Sequence, residues 1–253
     1  MARIFITGSA GGLGHLAAKM LVSQGHQVVL HARTVERGRM ALSKIPKAEK
    51  VLIADLSSME ETKMLAEEVN ALGRFDAIIH NAGVYRVPNR EIFAVNTLAP
   101  YMLTALIHPP KRLIYLSSGM HLQGNPNPEN LFPDTELVSY SDSKLHMVML
   151  SMAVARRWPE VYSNAVNPGW VPTRMGGPGA PDDLQKGVET QVWLAVSNEA
   201  NARVSGRYFF HQQEAHYLPV AADVGLQDQF LDRCEQISGI KLTESYLEHL
   251  KGM

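Results

Sequence analysis

Tyr140 and Lys144 stand four positions apart in the run Tyr140-Ser141-Asp142-Ser143-Lys144, which opens a segment with helical spacing. On a helix that spacing puts both side chains on one face. A phenol with a pKa near 10 is a poor base at neutral pH, but an ammonium beside it favours the phenolate and lowers that value. Such a pair can pass a proton to or from a substrate oxygen. Taken alone the signal is weak, because Tyr-x-x-x-Lys arises by chance in many helices.

A second run, Thr7-Gly8-Ser9-Ala10-Gly11-Gly12-Leu13-Gly14, joins a short apolar segment to a helical pattern. Glycines at these positions allow tight or left-handed turns and let a pyrophosphate approach the free N–H groups of a helix N-terminus. The alternative is a glycine-rich turn with no ligand. The spacing is G-x-x-x-G-x-G and lacks the Gly-Lys-Ser/Thr ending of a nucleoside-triphosphate loop. Further on, His31-Ala32-Arg33 places a cation where an acid would meet an unmodified ribose. An arginine there clamps a 2′-phosphate, so NADP(H) is expected over NAD(H). Arg33 as a solvated member of a basic turn with Arg37 and Arg39 is the competing reading.

The elements that must position these residues alternate. Short apolar runs at Arg3 to Thr7, Gln27 to His31, Lys50 to Ala54, Asp76 to His80, Lys111 to Ser117, Val161 to Asn167 and Arg207 to Phe210 read as strands. Between them, helical spacing covers Gly12 to Ser23, Val35 to Lys44, Ser58 to Ala71, Glu91 to Ile107, Ser139 to Trp158 and Pro181 to Ser197, with a last helix at Leu226 to Ile237. Strands apolar throughout suit a parallel sheet covered on both faces. The expectation is a single doubly wound α/β domain of the Rossmann type over residues 1–253, its seven-stranded parallel sheet flanked by helices on both faces. Pro109-Pro110 and Pro159 stop the helices before them. On the helix that carries Tyr140, the face Leu145, Val148, Met149 and Met152 is assigned to the core.

Two long loops are expected to be functional, Gly119 to Leu137 and Pro172 to Pro181. The second opens a candidate substrate lid over 172–188, with glycine hinges and with Trp170 or Met175 as apolar contacts. The end of the chain, 239–253, reads as a loose tail.

Composition narrows the function classes. The chain has 253 residues, 45% of them hydrophobic, with 24 Lys plus Arg against 25 Asp plus Glu. A net charge of −1 lacks the clustered positive footprint of a nucleic-acid or anionic-membrane binder. Cys234 is a lone cysteine and makes no internal disulfide, the ten histidines are scattered, and no metal site is expected. The apolar run from Ile4 is stopped at Gly8, too short for a signal peptide, and nothing approaches a membrane span. A cytoplasmic location is expected.

In order along the chain, TGSAGGLG at Thr7 to Gly14, Asp55-Leu56, Asn81-Ala82-Gly83, Asn96, Ser117-Ser118, YSDSK at Tyr140 to Lys144 and Asn167-Pro168-Gly169 resemble the short-chain dehydrogenase/reductase family. SGRYFF at Ser205 to Phe210 and FLDRCEQISGI resemble its retinol-dehydrogenase-like branch. The resemblance implies an oxidoreductase moving a hydride between nicotinamide and a carbonyl or alcohol of a small substrate, which Leu122, Trp170 and Met175 lead us to expect is apolar or amphipathic. It implies Tyr140 as general acid/base, Lys144 as the group that lowers its pKa and holds the nicotinamide ribose, Ser118 as hydrogen-bond partner of the substrate carbonyl, and Asn96 as anchor of a relay water. Ser118 is preferred to Ser117 because members with a Ser-Ser pair generally use the second.

The resemblance also assigns the cofactor to Gly8, Ser9, Gly12, Leu13, Gly14, Arg33, Asp55, Leu56, Asn81, Ala82 and Gly83, with Tyr140, Lys144, Pro168, Gly169, Val171 and Thr173 around the nicotinamide. Among these, Asp55 read alone is a helix N-cap before Ser57-Ser58, and Asn96 an ordinary polar helix residue. His121, three after Ser118, is a candidate pocket residue, with a plain loop histidine as the alternative. The region between Asn81 and Ser117 is shorter than in many members and the stretch from Ser118 to Tyr140 longer, which leaves monomer and homodimer both open. A dinucleotide-binding sensor or scaffold without turnover is the rival function; retention of Ser118, Tyr140 and Lys144 together argues against it. An isomerase or epimerase is disfavoured by the glycine spacing and by Arg33.

Overall fold

The computed structural model describes residues 1–132 and 135–244. Its chain alternates as β1 (Arg3–Ile6), α1 (Gly12–Ser23), β2 (Gln27–Ala32), α2 (Val35–Lys44), β3 (Lys50–Ile53), α3 (Met59–Ala71), β4 (Ala77–His80), α4 (Asn89–Phe93), α5 (Ala99–Leu106) and β5 (Arg112–Leu116). There follow α6 (Tyr140–Arg157), β6 (Tyr162–Asn167), α7 (Leu184–Val196), β7 (Tyr208–Phe210), β8 (Gln213–Glu214) and α8 (Val224–Ser238). The strand order is β3-β2-β1-β4-β5-β6-β7-β8.

Strands β1 to β7 pair in parallel, and β8 closes the edge antiparallel to β7. The expected seven-stranded sheet therefore has an eighth, antiparallel strand. His211 and Gln212 both take left-handed backbone (φ 48° and 63°), which makes the two-residue hairpin turn, and β8 is too short to register as a periodic run.

Apolar strands follow from burial on both sides. Ile4 and Ile6 pack with Val28, Leu30, Ala17, Leu21 and Val192 on one face, while Phe5 and Val29 pack with Leu65, Val69, Leu103 and Leu150 on the other. Leu145, Val148, Met149 and Met152 all lie in the second cluster, as assigned. Because β1 is flanked by β2 and β4, the chain reverses its direction of winding there. That places a crevice at the carboxyl ends of β1 and β4, the position where open α/β sheets take ligands.

Three boundaries differ from expectation. The helix expected over Glu91 to Ile107 is α4 and α5 joined by a π turn at Ala94–Leu98, a widened turn that departs from the 3.6-residue period. The last five positions of the 172–188 lid belong to α7, where Val188 is buried and Gly187 packs on the Pro168 carbonyl. Of the expected tail, 239–244 is held: Leu242 is buried, the Tyr101 hydroxyl donates to the Ile240 carbonyl, and Arg157 donates to Leu242 O. Residues 245–253 lie outside the described ones. No helix among the described residues is long and apolar enough to cross a membrane.

Candidate active site

The glycine run connects β1 to α1 by a turn that only glycine serves. Gly8 has φ +65°, and a Cβ there would lie 2.8 Å from Ala82 Cα. At Gly14 an added methyl would overlap the Asn81 amide, whose Nδ2 donates to Thr7 O (3.0 Å) and Gly8 O (3.3 Å). Helix α1 starts at Gly11 with no side-chain cap and no acidic residue in its first turn, so its free N–H groups and positive dipole end are left for an anion.

His31 secures this loop. Its Nδ1 accepts the Gly8 N–H (2.9 Å), so Nε2 carries the proton and donates to Ala54 O (3.0 Å). Burial lowers its pKa to about 4, which keeps the ring neutral. Ser9 does not face the cavity: it is fully buried, its hydroxyl donating to Ile6 O and accepting the His31 N–H. It is a brace for the loop, and a ligand contact through its side chain is excluded by that geometry.

A cavity of about 660 Å³ runs along the carboxyl edge of the sheet. Of the residues singled out in the sequence, Gly8, Gly12, Leu13, Arg33, Asp55, Leu56, Asn81, Ala82, Gly83, Tyr140, Lys144, Pro168, Thr173 and Met175 line it, as does Ser117; Ser118 and Asn96 lie behind the lining, Ser118 reaching the site through its hydrogen bond with Tyr140. Gly14, Gly169 and Val171 support its wall: Gly169 (φ +82°) packs on Asp182, and Val171 is buried against Gly187. Asp55 makes a local turn, accepting from the Ser57 N–H and hydroxyl, while Ser58 is the true N-cap of α3. The sequence reading missed His31, Tyr85 and Arg86 as lining residues and treated Arg37 only as part of a basic turn. Arg37 NH2 lies 3.6 Å from where a Gly11 Cβ would sit, beside the glycine loop, and the signal for it was its place in the first turn of α2.

The other part of the cavity holds Tyr140 and Lys144, on the first two turns of α6. A capping box starts that helix, Ser139 accepting the Asp142 N–H while Asp142 accepts the Ser139 N–H. Lys144 is buried, its Nζ donates to Leu116 O (3.0 Å), and it sits 5.4 Å from the Tyr140 ring centroid. Burial lowers Lys144 to about 8 and raises Tyr140 to about 12, Tyr85 adding to the rise and a hydrogen bond with Ser118 opposing it. The lowering of the phenol expected from Lys144 is not found: desolvation dominates, and the opposing effect comes from Ser118. Tyr85 stacks at a tilt on Tyr140 (4.7 Å), and Met175 Sδ lies 3.9 Å from the Tyr140 hydroxyl.

Ser118 and Ser117 are separated by their partners. The Ser117 hydroxyl is committed to Lys144 O (2.7 Å), whereas Ser118 Oγ accepts the Met120 N–H (3.2 Å) and keeps its proton to donate. Asn96 is buried in the π turn, and its side chain is fully engaged: Oδ1 accepts the Val84 N–H (2.8 Å) while Nδ2 donates to Val84 O (3.0 Å) and Ser143 Oγ (3.1 Å). A relay water would have to be held by its main chain. Among the described residues no group of three His, Cys, Asp or Glu side chains is placed to hold a metal.

Residues 2–183 match the family model for short chain dehydrogenases. An uncharacterized oxidoreductase of Emericella nidulans is 45% identical over 95% of this chain and 98% of its own length. DnrU of Streptomyces sp. (strain C5), proposed as a daunorubicin C-13 ketoreductase, is 31% identical over 88% of both chains. A short chain dehydrogenase of Shigella flexneri solved with NADP shares the fold at a TM-score of 0.66, with 24% identity over 84% of this chain and 97% of that one. The sequence match, the sheet order and the oxidoreductase relatives agree, and the chain belongs to the short-chain dehydrogenase/reductase family, as an enzyme acting on CH–OH and C=O groups.

Proposed function

We propose that this enzyme uses NADP(H) to interconvert a carbonyl and an alcohol on a small, apolar substrate. The observation that carries the reading is one continuous cavity, lined near one helix N-terminus by Arg33 and Arg37 and elsewhere by Tyr140 and Lys144. The residues fit a dinucleotide: bare glycine backbone and the uncapped α1 terminus suit a pyrophosphate, the two arginines suit a 2′-phosphate, and Asp55, Leu56 and Asn81 to Gly83 line the cavity between. Nicotinamide supplies the two-electron chemistry when bound.

The protein's own groups supply placement and a proton. With its phenol raised to about 12, Tyr140 is protonated at neutral pH and acts as the acid toward a carbonyl oxygen gaining negative charge. Ser118, oriented by the Met120 N–H, donates a hydrogen bond to the same oxygen. The Lys144 ammonium stabilises the phenolate left behind, and Asn96 fixes the Val84 segment beside it. Met175 covers the Tyr140 hydroxyl, so a substrate oxygen must displace it. The loop that bears it is tied by Trp170 Nε1 to Gly176 O (2.8 Å) and by Asp182 to the Trp170 N–H (2.6 Å), and acts as the lid.

The test is titration of the purified protein with NADPH and NADH, followed by nicotinamide fluorescence and thermal protection, then a carbonyl panel that includes aromatic ketones. Selective NADPH binding with carbonyl-dependent oxidation is expected. NADH selectivity overturns the cofactor reading. Tight NADPH binding with no turnover across the panel overturns the catalytic one in favour of a sensor.

A further inference from the structure

His121 sits in the 3-10 turn Gly119–Gln123, three residues after Ser118, and is fully buried. It does not line the cavity. Its ring packs against Tyr208 of β7 (4.6 Å between centroids) and reaches the segment before α8. Nε2 lies 3.2 Å from Leu218 N, whose N–H has no choice but to donate. A ring nitrogen that accepts carries no proton, so in the neutral imidazole the proton is on Nδ1. Burial lowers the pKa of this histidine; the hydrogen bond to the Ser118 carbonyl opposes that and His216 adds to it, and the net shift is downward, so the neutral ring prevails at pH 7.

Nδ1 lies 2.7 Å from the Ser118 carbonyl oxygen, which also accepts the His121 main-chain N–H at 3.1 Å. The Tyr208 hydroxyl, 3.2 Å from Nδ1, shares its proton as a second acceptor. Two donors from one residue therefore hold the Ser118 carbonyl, while the Met120 N–H holds Ser118 Oγ. The peptide plane and the side chain of Ser118 are fixed together. The far side of the imidazole is fixed by the backbone at Leu218, a hundred residues on in sequence and across the sheet edge from Ser118.

We propose that His121, as its Nδ1–H tautomer, is a positioning residue that aims the Ser118 hydroxyl at the substrate oxygen by pinning the Ser118 carbonyl to the Leu218 backbone. The inference rests on the role given to Ser118 in the proposed function. It makes the Leu218 segment part of the active-site scaffold without any contact to the substrate.

Two amide substitutions separate the two ends of the ring. In His121→Asn the amide falls near the Nδ1 position and keeps a donor for Ser118; in His121→Gln it falls near Nε2 and keeps a partner for Leu218 only. Each removes one buried hydrogen bond, so both are expected to lower Tm by a similar amount and to leave NADPH affinity unchanged. His121→Gln is expected to lose about a hundredfold in kcat, the scale of a small misplacement of a catalytic group, and His121→Asn to recover about tenfold of that. In a Ser118→Ala background the His121→Gln loss is expected to vanish, because a residue that acts through Ser118 has nothing left to position.

Equal kcat losses in Asn and Gln, or a Gln loss that persists in full without the Ser118 hydroxyl, overturn the proposal. Nitrogen-15 spectra of the imidazole, assigned against His121→Asn, report the tautomer with no turnover needed. An Nε2–H ring or an imidazolium at pH 7 overturns the positioning role whatever the kinetics. An Nδ1–H ring in a wild-type protein that reduces no carbonyl instead overturns the function reading, and the positioning role of His121 with it.

Discussion

Replacing Arg33 by Glu tests the cofactor reading at its most exposed point. The Arg33 side chain is 53% exposed and its guanidinium is 3.7 Å from Glu91 Oε1, so its field is screened by water and partly spent on that carboxylate. Unit charges in contact are worth about 1 kcal/mol at the dielectric of water and about 4 kcal/mol at an effective value of 20; the exposure of Arg33 puts it near the lower figure. A 2′-phosphate carries up to about two negative charges, and a Glu at 33 converts attraction into repulsion while facing Glu91. The sum is about 3 kcal/mol, or roughly a hundredfold weaker NADPH binding. NADH, with no 2′-phosphate, is expected to stay within about threefold. Fluorescence titration of both nucleotides measures the ratio, and the NADPH loss should shrink as salt is raised because the interaction is exposed. Equal weakening of both nucleotides, or no change in either, refutes the assignment. In the latter case selectivity should move to Arg37→Ala, since Arg37 lies beside the glycine loop.

Tyr140→Phe is expected to bind NADPH as the wild type does and to lose at least about a hundredfold in kcat, measured by loss of reduced-nicotinamide absorbance; near-normal turnover removes Tyr140 as the acid. Lys144 has a pKa lowered to about 8, so its ammonium is present below that pH and is lost as pH rises through it. Carbonyl reduction should therefore fall about tenfold per pH unit on the alkaline side, and a pH–rate profile still flat at about pH 10 would refute the ammonium's role. Gly14→Ala forces a methyl into the Asn81 amide and should lower stability by about 2 kcal/mol, seen as a drop of several degrees in Tm. An unchanged Tm would mean the Asn81 amide moves aside without cost.

Most of the architecture was legible because it is written in local patterns. Ile4, Phe5 and Ile6 form an unbroken apolar run because alternate residues face different helical layers, and prolines at 109 and 110 end a helix wherever they occur. The helix over Glu91 to Ile107 was legible as helix but not as two segments with a π turn, since one extra residue in a turn leaves no compositional mark. The edge hairpin was missed for a similar reason, its turn being made by His211 and Gln212 in place of the usual glycine or asparagine.

The site divides along the same line. Residue type and spacing brought out Tyr140, Lys144 and the glycine loop, because helical spacing and tolerance of left-handed backbone are short-range properties; Ser118 came only with the family resemblance. Only the folded chain decided which side chains are free to act. It spends the Ser117 hydroxyl on Lys144 O, buries Ser9 as a brace, and engages every polar side-chain atom of Asn96. It also raises Tyr140 where the Tyr–Lys spacing argues for lowering it. Spacing tells which groups can meet, but the loss of water around them and the competition among hydrogen-bond partners from distant segments are set by tertiary packing. For that reason His31, not singled out in the sequence, secures the glycine loop, and His121, a pocket candidate in the sequence, lies buried behind Ser118 without lining the cavity.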